Sequence, residues 1–212
     1  MELLGVYFMK TSNIGIRVGA FVLIAILAVA SWITSGALNL EPAKYLSATA
    51  FVGSALFTGW ELWVWRFPWV QLVPGVPLSV RGTWKGTLES SWIDASGQKI
   101  APRDAYLVVR QTFSRVHVTL LTNESKSESS LAAVTKTEGL SVLHYLFFNK
   151  PRMKHEAISR MHHGSATFEV SGKPARRIAG RYWTERDTRG ELDFDRHSKK
   201  IADDYEEAVS FF

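Results

Sequence analysis

Residues 176–197 read RRIAGRYWTERDTRGELDFDRH, and this stretch predicts a β-hairpin. In its second half, Leu192 and Phe194 alternate with acidic residues, which gives the strand one apolar face and one polar face. The middle of the stretch is rich in Thr, Asp, Arg and Gly, a composition typical of a turn between two strands. The hairpin is therefore expected to bury one face and to leave the other in water.

The spacing also predicts a register for this hairpin. If Thr184 pairs with Gly190, Arg181 lies opposite Asp193 on the outer face. Directly opposed charges of unlike sign stabilise an antiparallel pair by about 0.2–1 kcal/mol. We therefore expect a cross-strand ion pair between these two side chains.

Similar strand-length runs, separated by turn residues, recur from residue 82 onward. The predicted strands are Gly82–Ser91, Asp104–Phe113, Arg115–Asn123, Ser129–Thr137, Leu140–Asn149, Gly164–Ser171, Arg176–Thr184 and Gly190–His197. Only Pro151–His163 has a helix-forming composition, and nothing has the spacing of a βαβ unit. The expected fold is an all-β antiparallel eight-stranded meander that closes into a lipocalin-like barrel with room for one small ligand.

Two long apolar segments precede this domain. Val18–Ile33 and Tyr45–Trp60 contain no charged side chain. A helix needs roughly 20 mostly apolar residues to cross a bilayer, and flanking residues bring both segments near that length. Residues 1–67 are therefore predicted to form a membrane α-helical hairpin of two transmembrane helices, retained rather than cleaved as a signal peptide.

Basic residues near the segment ends predict the orientation of this hairpin. Lys10 and Arg17 precede the first segment, Arg66 and Arg81 follow the second, and the connecting loop has only Lys44. Both termini and the β-domain are therefore expected in the cytoplasm. The predicted aromatic belt at the inner interface consists of Trp60, Trp63, Trp65 and Trp69.

Charge is distributed unevenly over the chain. A proline-containing linker, 68–80, is followed by the predicted β-domain, 81–200, which has 21 basic and 13 acidic residues, a balance of +8. Such a surface suits an anionic ligand or an anionic membrane. Residues 201–212 form an acidic tail that either caps the barrel or pairs with a neighbour. The chain has no cysteine, which excludes disulfides and thiolate chemistry.

The first strand carries a Gly-x-Trp sequence. In Arg81–Leu88, RGTWKGTL, Trp84 is expected to plug one end of a barrel, as in lipocalin-like proteins, or to offer a stacking surface to a nucleobase. The hairpin residues Tyr182–Gly190 present a second choice, between a base-and-phosphate site and an exposed turn with ordinary charge pairs. Both choices stay open at the level of sequence.

Nothing in the chain demands an enzyme. No Gly-x-Ser-x-Gly motif or P-loop is present. His155, His162 and His163 lack a carboxylate at familiar metal-ligand spacing, so that no metal site and no cofactor are predicted.

Two apolar segments, a proline-containing exit and an eight-strand domain that opens with GTWKGTL, Gly82–Leu88, resemble the two-transmembrane β-strand-rich effectors of bacterial CBASS anti-phage systems. Those effectors are associated with cGAS/DncV-like nucleotidyltransferases (CD-NTases). The resemblance implies that the barrel binds a cyclic dinucleotide and that binding drives oligomerisation in the bacterial inner membrane. The transmembrane helices would then disrupt that membrane, and the infected cell would stop growing or die.

The expected partners are therefore a cyclic dinucleotide, the lipid bilayer, further copies of the chain and, functionally, a CD-NTase, with no nucleic-acid polymer. Under this hypothesis, basic side chains neutralise phosphates, aromatic side chains contact the bases and a threonine supplies a hydroxyl. The candidate ligand-binding residues are Trp84, Arg110, Lys136, Tyr145, Tyr182, Thr184 and Arg186. Two alternatives remain: a membrane-tethered lipocalin-like lipid binder, and a structural anchor that docks a protein and has a fully packed core.

Overall fold

The computed structural model describes residues 42–93, 97–137, 139–153 and 160–212, together with isolated positions between 22 and 33. The chain divides into two compact units, Met1–Val76 and Pro77–Phe212. Most of the first predicted span, Val18–Ile33, lies outside the described residues, as does the middle of the predicted Pro151–His163 helix.

In the described part of the first unit, a long helix, α1, spans Pro42–Leu62 and includes the second predicted span. Two short 3-10 turns follow it, at Val64–Arg66 and Val70–Leu72. Within the described part of the chain, no helix combines the length and the apolar character that a bilayer crossing requires. The two transmembrane helices therefore stay a prediction.

The tryptophans after α1 differ in exposure. Trp65 is fully buried, and its indole N–H donates to the Glu61 carbonyl at 3.0 Å. Trp63 and Trp69 are 60% and 67% exposed. Burial of the Trp65 ring is tolerated because its N–H has a backbone acceptor. The aromatic belt stays a prediction.

The second unit is a closed antiparallel barrel in which each strand pairs with the next and β8 pairs with β1. Its strands are β1 Gly82–Ser90, β2 Arg103–Gln111, β3 Val116–Leu121, β4 Ser125–Thr137, β5 Leu140–Pro151, β6 His162–Ser171, β7 Arg177–Thr184 and β8 Arg189–Ser198. The predicted eight-strand barrel is confirmed. Closure leaves no unpaired strand edge, which is the physical advantage of this arrangement for a chain of short strands.

Inward side chains follow the strand period of two. On β5, Leu143, Tyr145, Phe147 and Asn149 are buried, while the residues between them are more exposed. The inward side chains of all eight strands form one apolar core. An unbroken alternation of this kind sets the register of a strand, because a slip of one residue would turn every buried side chain outward.

One end of the barrel is filled, and we call it the plugged end. Trp84 is fully buried there, and its indole N–H donates to the Val80 carbonyl at 2.9 Å. The Gln111 amide closes the same end by accepting from the Val80 N–H at 2.8 Å and donating to the Leu78 carbonyl at 3.1 Å. The chain therefore enters the barrel through a packed and fully hydrogen-bonded plug.

The predicted acidic tail packs on the outer face of β2. A short helix, α2, spans Tyr205–Ser210, and the Asp204 carboxylate caps it by accepting from the Glu207 N–H at 2.8 Å. Tyr106, on the outer face of β2, contacts the Tyr205 ring edge-on at 5.5 Å between centroids. Because the tail covers that face, β2 is buried on both sides, which the period-two pattern alone does not predict.

The register of the last hairpin differs from the predicted one by two residues. Arg181 pairs with Glu191, not Asp193, and its Nε donates to the Glu191 carboxylate at 3.1 Å. The cause is a shorter turn, in which the Thr184 N–H donates to the Thr188 carbonyl at 2.9 Å and Asp187 adopts φ 56°. A three-residue turn with a left-handed residue is a favoured hairpin connection.

Candidate functional site

The end of the barrel opposite the plug contains a cavity of about 310 Å³. It lies where β1, β3, β5 and β7 end and where β2, β4, β6 and β8 begin, and we call it the cavity end. Its polar lining residues are Ser90, Arg103, Thr122, Glu124, Ser125, Ser127, Tyr145, Asn149, His162, Tyr182, Thr184, Arg186 and Thr188. Its apolar lining residues are Leu88, Trp92, Ile100, Ala101, Leu120, Phe147 and Leu192. A concave site with an apolar floor and several convergent polar groups is the usual form of a ligand-binding pocket.

Aromatic rings form the deep part of the cavity. Tyr145 is 3% exposed, and its ring lies 5.7 Å from both Phe147 and Phe168 between centroids. A Cβ on Gly164 would lie 2.4 Å from Cζ of Phe147, so that glycine on β6 is what lets this ring occupy its place. The close approach of backbone and ring therefore shapes the cavity wall.

The Tyr145 hydroxyl has no hydrogen-bond partner among the residues that the structure describes. Burial raises the pKa of this phenol, so that it stays neutral at physiological pH. A buried polar group without a partner costs about 1–3 kcal/mol, and native proteins rarely leave one without a reason. This hydroxyl is therefore available to a ligand.

A buried amide lies nearer the mouth, on the same strand. Asn149 is 5% exposed, and its Oδ1 accepts from the Ser127 hydroxyl at 2.7 Å. The two residues face each other across the β4–β5 pair. Within the described ranges, the Asn149 Nδ2 donates no hydrogen bond to the chain. The amide therefore presents its two N–H groups to the cavity.

The mouth of the cavity carries two guanidinium groups in different states. Arg103 forms an ion pair with Glu124, and both side chains are about one-third exposed. The Arg186 Nη1 donates to the Arg160 carbonyl at 3.1 Å, and no carboxylate pairs with it in the part of the chain that the structure describes. One neutralised and one uncompensated cation therefore face an incoming ligand.

The β7–β8 hairpin supplies further groups. Tyr182 is partly buried, and burial raises the pKa of its hydroxyl although a hydrogen bond to Ser90 opposes the shift. The Thr184 hydroxyl lies 2.6 Å from the Thr188 hydroxyl and accepts from the Arg186 N–H at 3.3 Å. Thr184 therefore holds the turn in shape as well as lining the cavity.

Four of the seven candidate ligand-binding residues come together at this cavity: Tyr145, Tyr182, Thr184 and Arg186. The structure does not bring the other three there. Trp84 lies in the plug, where its ring packs against His197 at 4.1 Å between centroids. Of the two roles that the sequence left open for Trp84, the structure therefore shows the plug at one end of the barrel.

Arg110 and Lys136 also lie away from the cavity. Arg110 points outward from β2, where it pairs with Asp203 and donates to the Ala202 carbonyl at 3.1 Å, so that its charge fastens the tail. Lys136 is exposed near the end of β4, opposite Ser141, at the plugged end. A ligand-binding role for Arg110 required an inward position on β2, which the structure does not show. Lys136 lies at the end of β4 that is remote from the cavity.

Several lining residues were missed from sequence, above all Arg103, Ser127 and Asn149. The signal for Asn149 is visible in retrospect, since it continues the alternating series of Leu143, Tyr145 and Phe147 as its one polar member. A polar residue at an inward position marks either a buried hydrogen bond or a binding site.

The barrel, its polar cavity and its cationic mouth define the chain as a small-molecule-binding protein of the closed-barrel class. The cavity is open at one end only, as in barrels that hold one ligand. The structural-anchor alternative required a fully packed core, and the cavity weighs against it.

The chain belongs to the family of the Cap15 cyclic dinucleotide receptor domain, whose model matches residues 76–196. It is also similar to CD-NTase-associated protein 15 of Staphylococcus schleiferi, at 22% identity over 147 residues that cover 69% of this chain and 76% of that protein. These matches confirm the resemblance to CBASS effectors with a β-barrel. The chain therefore carries a domain of the cyclic dinucleotide receptor family.

Proposed function

We propose that a cyclic dinucleotide binds in the cavity end of the barrel and switches on a membrane-disrupting effector. The observation that carries the binding step is the cavity itself, whose buried Tyr145 hydroxyl and Asn149 amide have hydrogen-bonding capacity that the described residues leave unused. A cyclic dinucleotide offers nucleobase edges that use such groups and two phosphates that need cations.

The mouth of the cavity supplies those cations. Arg186 has no carboxylate partner among the described residues and binds the first phosphate, while Arg103 binds the second after it leaves Glu124. Guanidinium groups suit this task because their donors match two phosphate oxygens at once. Tyr182, beside Arg186 on the hairpin, contacts a base by its ring face.

The proposed output is self-association in the bacterial inner membrane, with both termini and the barrel on the cytoplasmic side, followed by disruption of that membrane by the N-terminal segments. Support comes from the two uncharged apolar segments of the sequence. It also comes from the exposed aromatic side chains of α1 and the segment after it, such as Phe51, Phe57 and Trp69. Exposed rings of this kind fit a lipid or a protein surface rather than water.

The binding step is tested by isothermal titration calorimetry on the full-length chain with a panel of cyclic dinucleotides. We expect at least one of them to bind. Arg186→Ala should weaken that binding by about tenfold or more, because a charge-assisted hydrogen bond is lost. Arg181→Ala is the matched control: this arginine belongs to the same hairpin but lies on β7, where it faces outward and pairs with Glu191.

Heat from none of the nucleotides would sink the proposal, and heat from phospholipid alone would favour the lipid-binding alternative. The output is tested separately, by dye release from vesicles that contain the full-length chain. Release should follow addition of the bound nucleotide and should be lost in Arg186→Ala. Binding without any release, and without a change in oligomeric state by crosslinking, would contradict the proposed output while leaving the binding step intact.

A further inference from the structure

The inner wall of the cavity carries a donor-only group in a defined orientation. Asn149 and Ser127 face each other across β4 and β5, both are buried, and the serine hydroxyl donates to Oδ1 of the amide at 2.7 Å. The carboxamide oxygen is therefore in use, and the amide nitrogen is the part that a ligand meets.

This orientation changes which nucleobase the amide suits. An asparagine with both amide atoms free pairs bidentately with adenine, donating to a ring nitrogen and accepting from the exocyclic amino group. With Oδ1 engaged by Ser127, the accepting half of that pair is occupied. The remaining N–H donors match the adjacent acceptors O6 and N7 of guanine, or one carbonyl oxygen of uracil. At adenine, each of the ring nitrogens N1 and N7 lies next to the exocyclic amino group, which is itself a donor and opposes a second N–H.

The volume of the cavity leaves room for one base at this wall. This volume of about 310 Å³ is at the lower end of the range for small-molecule sites. Phe147 lies between Tyr145 and Asn149 on the inward face of β5 and offers a ring surface between the two polar groups. The remainder of a cyclic dinucleotide then lies at the mouth, beside Arg103 and Arg186.

We propose that Asn149, held by Ser127, selects cyclic dinucleotides that contain a carbonyl-bearing base, guanine or uracil, over those that contain adenine alone. This inference rests on the proposed function, since it assigns the ligand class of the same cavity. Asn149 is the specificity-determining residue, and Ser127 is the positioning residue that fixes its orientation.

The test is calorimetry on the full-length chain with cyclic di-AMP, cyclic di-GMP and cyclic UMP–AMP. We expect the wild-type chain to bind at least one of the last two about tenfold more tightly than cyclic di-AMP, the discrimination that a well-placed base contact provides. Asn149→Leu, which keeps the volume and removes both donors, should reduce this preference to less than about threefold.

Ser127→Ala provides the sharper variant because it frees Oδ1 to accept from adenine. It should shift the preference toward cyclic di-AMP, a gain that a merely unfolded or loosened cavity would not produce. Ser130→Ala, on the exposed outer side of the same strand, is the matched control and should leave all three affinities unchanged.

The outcomes separate the two levels of the proposal. Binding of cyclic di-AMP as tightly as the other two, or an Asn149→Leu variant that folds and keeps the full preference, would overturn the selection by Asn149 and leave the receptor function standing. Failure of every cyclic dinucleotide to bind the wild-type chain would instead overturn the proposed site.

Discussion

Gln111 and Asn149 are both buried amides, 4% and 5% exposed, and they lie at opposite ends of the same barrel. The Gln111 oxygen accepts from the Val80 N–H, and its nitrogen donates to the Leu78 carbonyl. The Asn149 oxygen accepts from the Ser127 hydroxyl, and its nitrogen faces the cavity. The same chemical group thus completes the packing at one end and leaves a donor for a ligand at the other.

The comparison indicates that the plugged end contributes mainly to the stability of the barrel and the cavity end mainly to ligand binding. At the plugged end, the polar groups of Gln111, Trp84 and Val80 are satisfied by the chain itself, so that changes there are expected to lower the free energy of unfolding. At the cavity end, some hydrogen-bonding groups have no partner among the described residues, so that substitutions there are expected to change ligand affinity more than stability.

The largest expected effect is at the plug. Trp84→Ala should lower the free energy of unfolding by about 3–5 kcal/mol, because it removes a fully buried indole and leaves a void between Val80 and His197. Chemical denaturation of the full-length chain measures the loss. Trp84→Phe, which keeps most of the volume, should lose less. A loss below about 1 kcal/mol for the alanine variant would show that Trp84 is not the plug we describe.

The matched pair of amides gives the next effect. Gln111→Ala should destabilise the barrel by about 1–3 kcal/mol more than Asn149→Ala, because it leaves a backbone N–H and a backbone carbonyl buried without partners. Removal of Asn149 orphans only the Ser127 hydroxyl, next to a cavity that water can enter. Equal losses in the free energy of unfolding for the two variants would contradict the proposed difference between the plugged end and the cavity end.

Most of the barrel follows from the sequence because strand alternation and turn composition are local. All eight strands were predicted, and β5 needed only two more residues at its end. The packing of the tail on Tyr106 could not be predicted in this way, since it depends on where β8 ends relative to β2 in the closed barrel. The hairpin register also escaped prediction, because the turn closes at Thr188, two residues earlier than the alternation suggests.

The site was predictable only in part, for the same reason. Tyr145 and Tyr182 were found because aromatic residues stand out in strands with an inward parity. The side of β2 on which Arg110 lies could not be predicted, because strand parity is ambiguous when both faces of a strand are buried. The sequence predicted room for one small ligand but not the place or the size of the cavity, since the volume left at one end of a barrel depends on the summed sizes of inward side chains from eight strands.

A smaller effect is expected from the charge at the cavity mouth. Glu124→Gln should tighten binding of a cyclic dinucleotide about threefold, since it releases Arg103 and removes a negative charge near the phosphates. Stability should change by less than about 1 kcal/mol, because the ion pair is partly exposed. The gain should shrink as salt is raised, and calorimetry at two ionic strengths measures it. Weaker binding by Glu124→Gln would mean that the carboxylate contacts the ligand directly.

The smallest effect is a pH dependence at the plugged end. Burial lowers the pKa of His197 below its ordinary value, an effect that Lys199 reinforces and a hydrogen bond to the Arg81 carbonyl opposes. The folded chain therefore binds fewer protons at this site than the unfolded chain, so that the stabilisation is complete above about pH 6.5 and is lost as pH falls through the folded pKa.

The expected loss between pH 7.5 and 5.5 is less than about 1 kcal/mol, because one side of the ring is exposed and retains its hydration. His197→Phe keeps the stack on Trp84 and removes the titration, so that denaturation midpoints should vary less with pH than in the wild-type chain. His144 carries a pKa lowered by burial on the outer face of β5 and should retain its own share of the dependence. An unchanged slope in His197→Phe would assign the whole pH dependence to groups outside the plug.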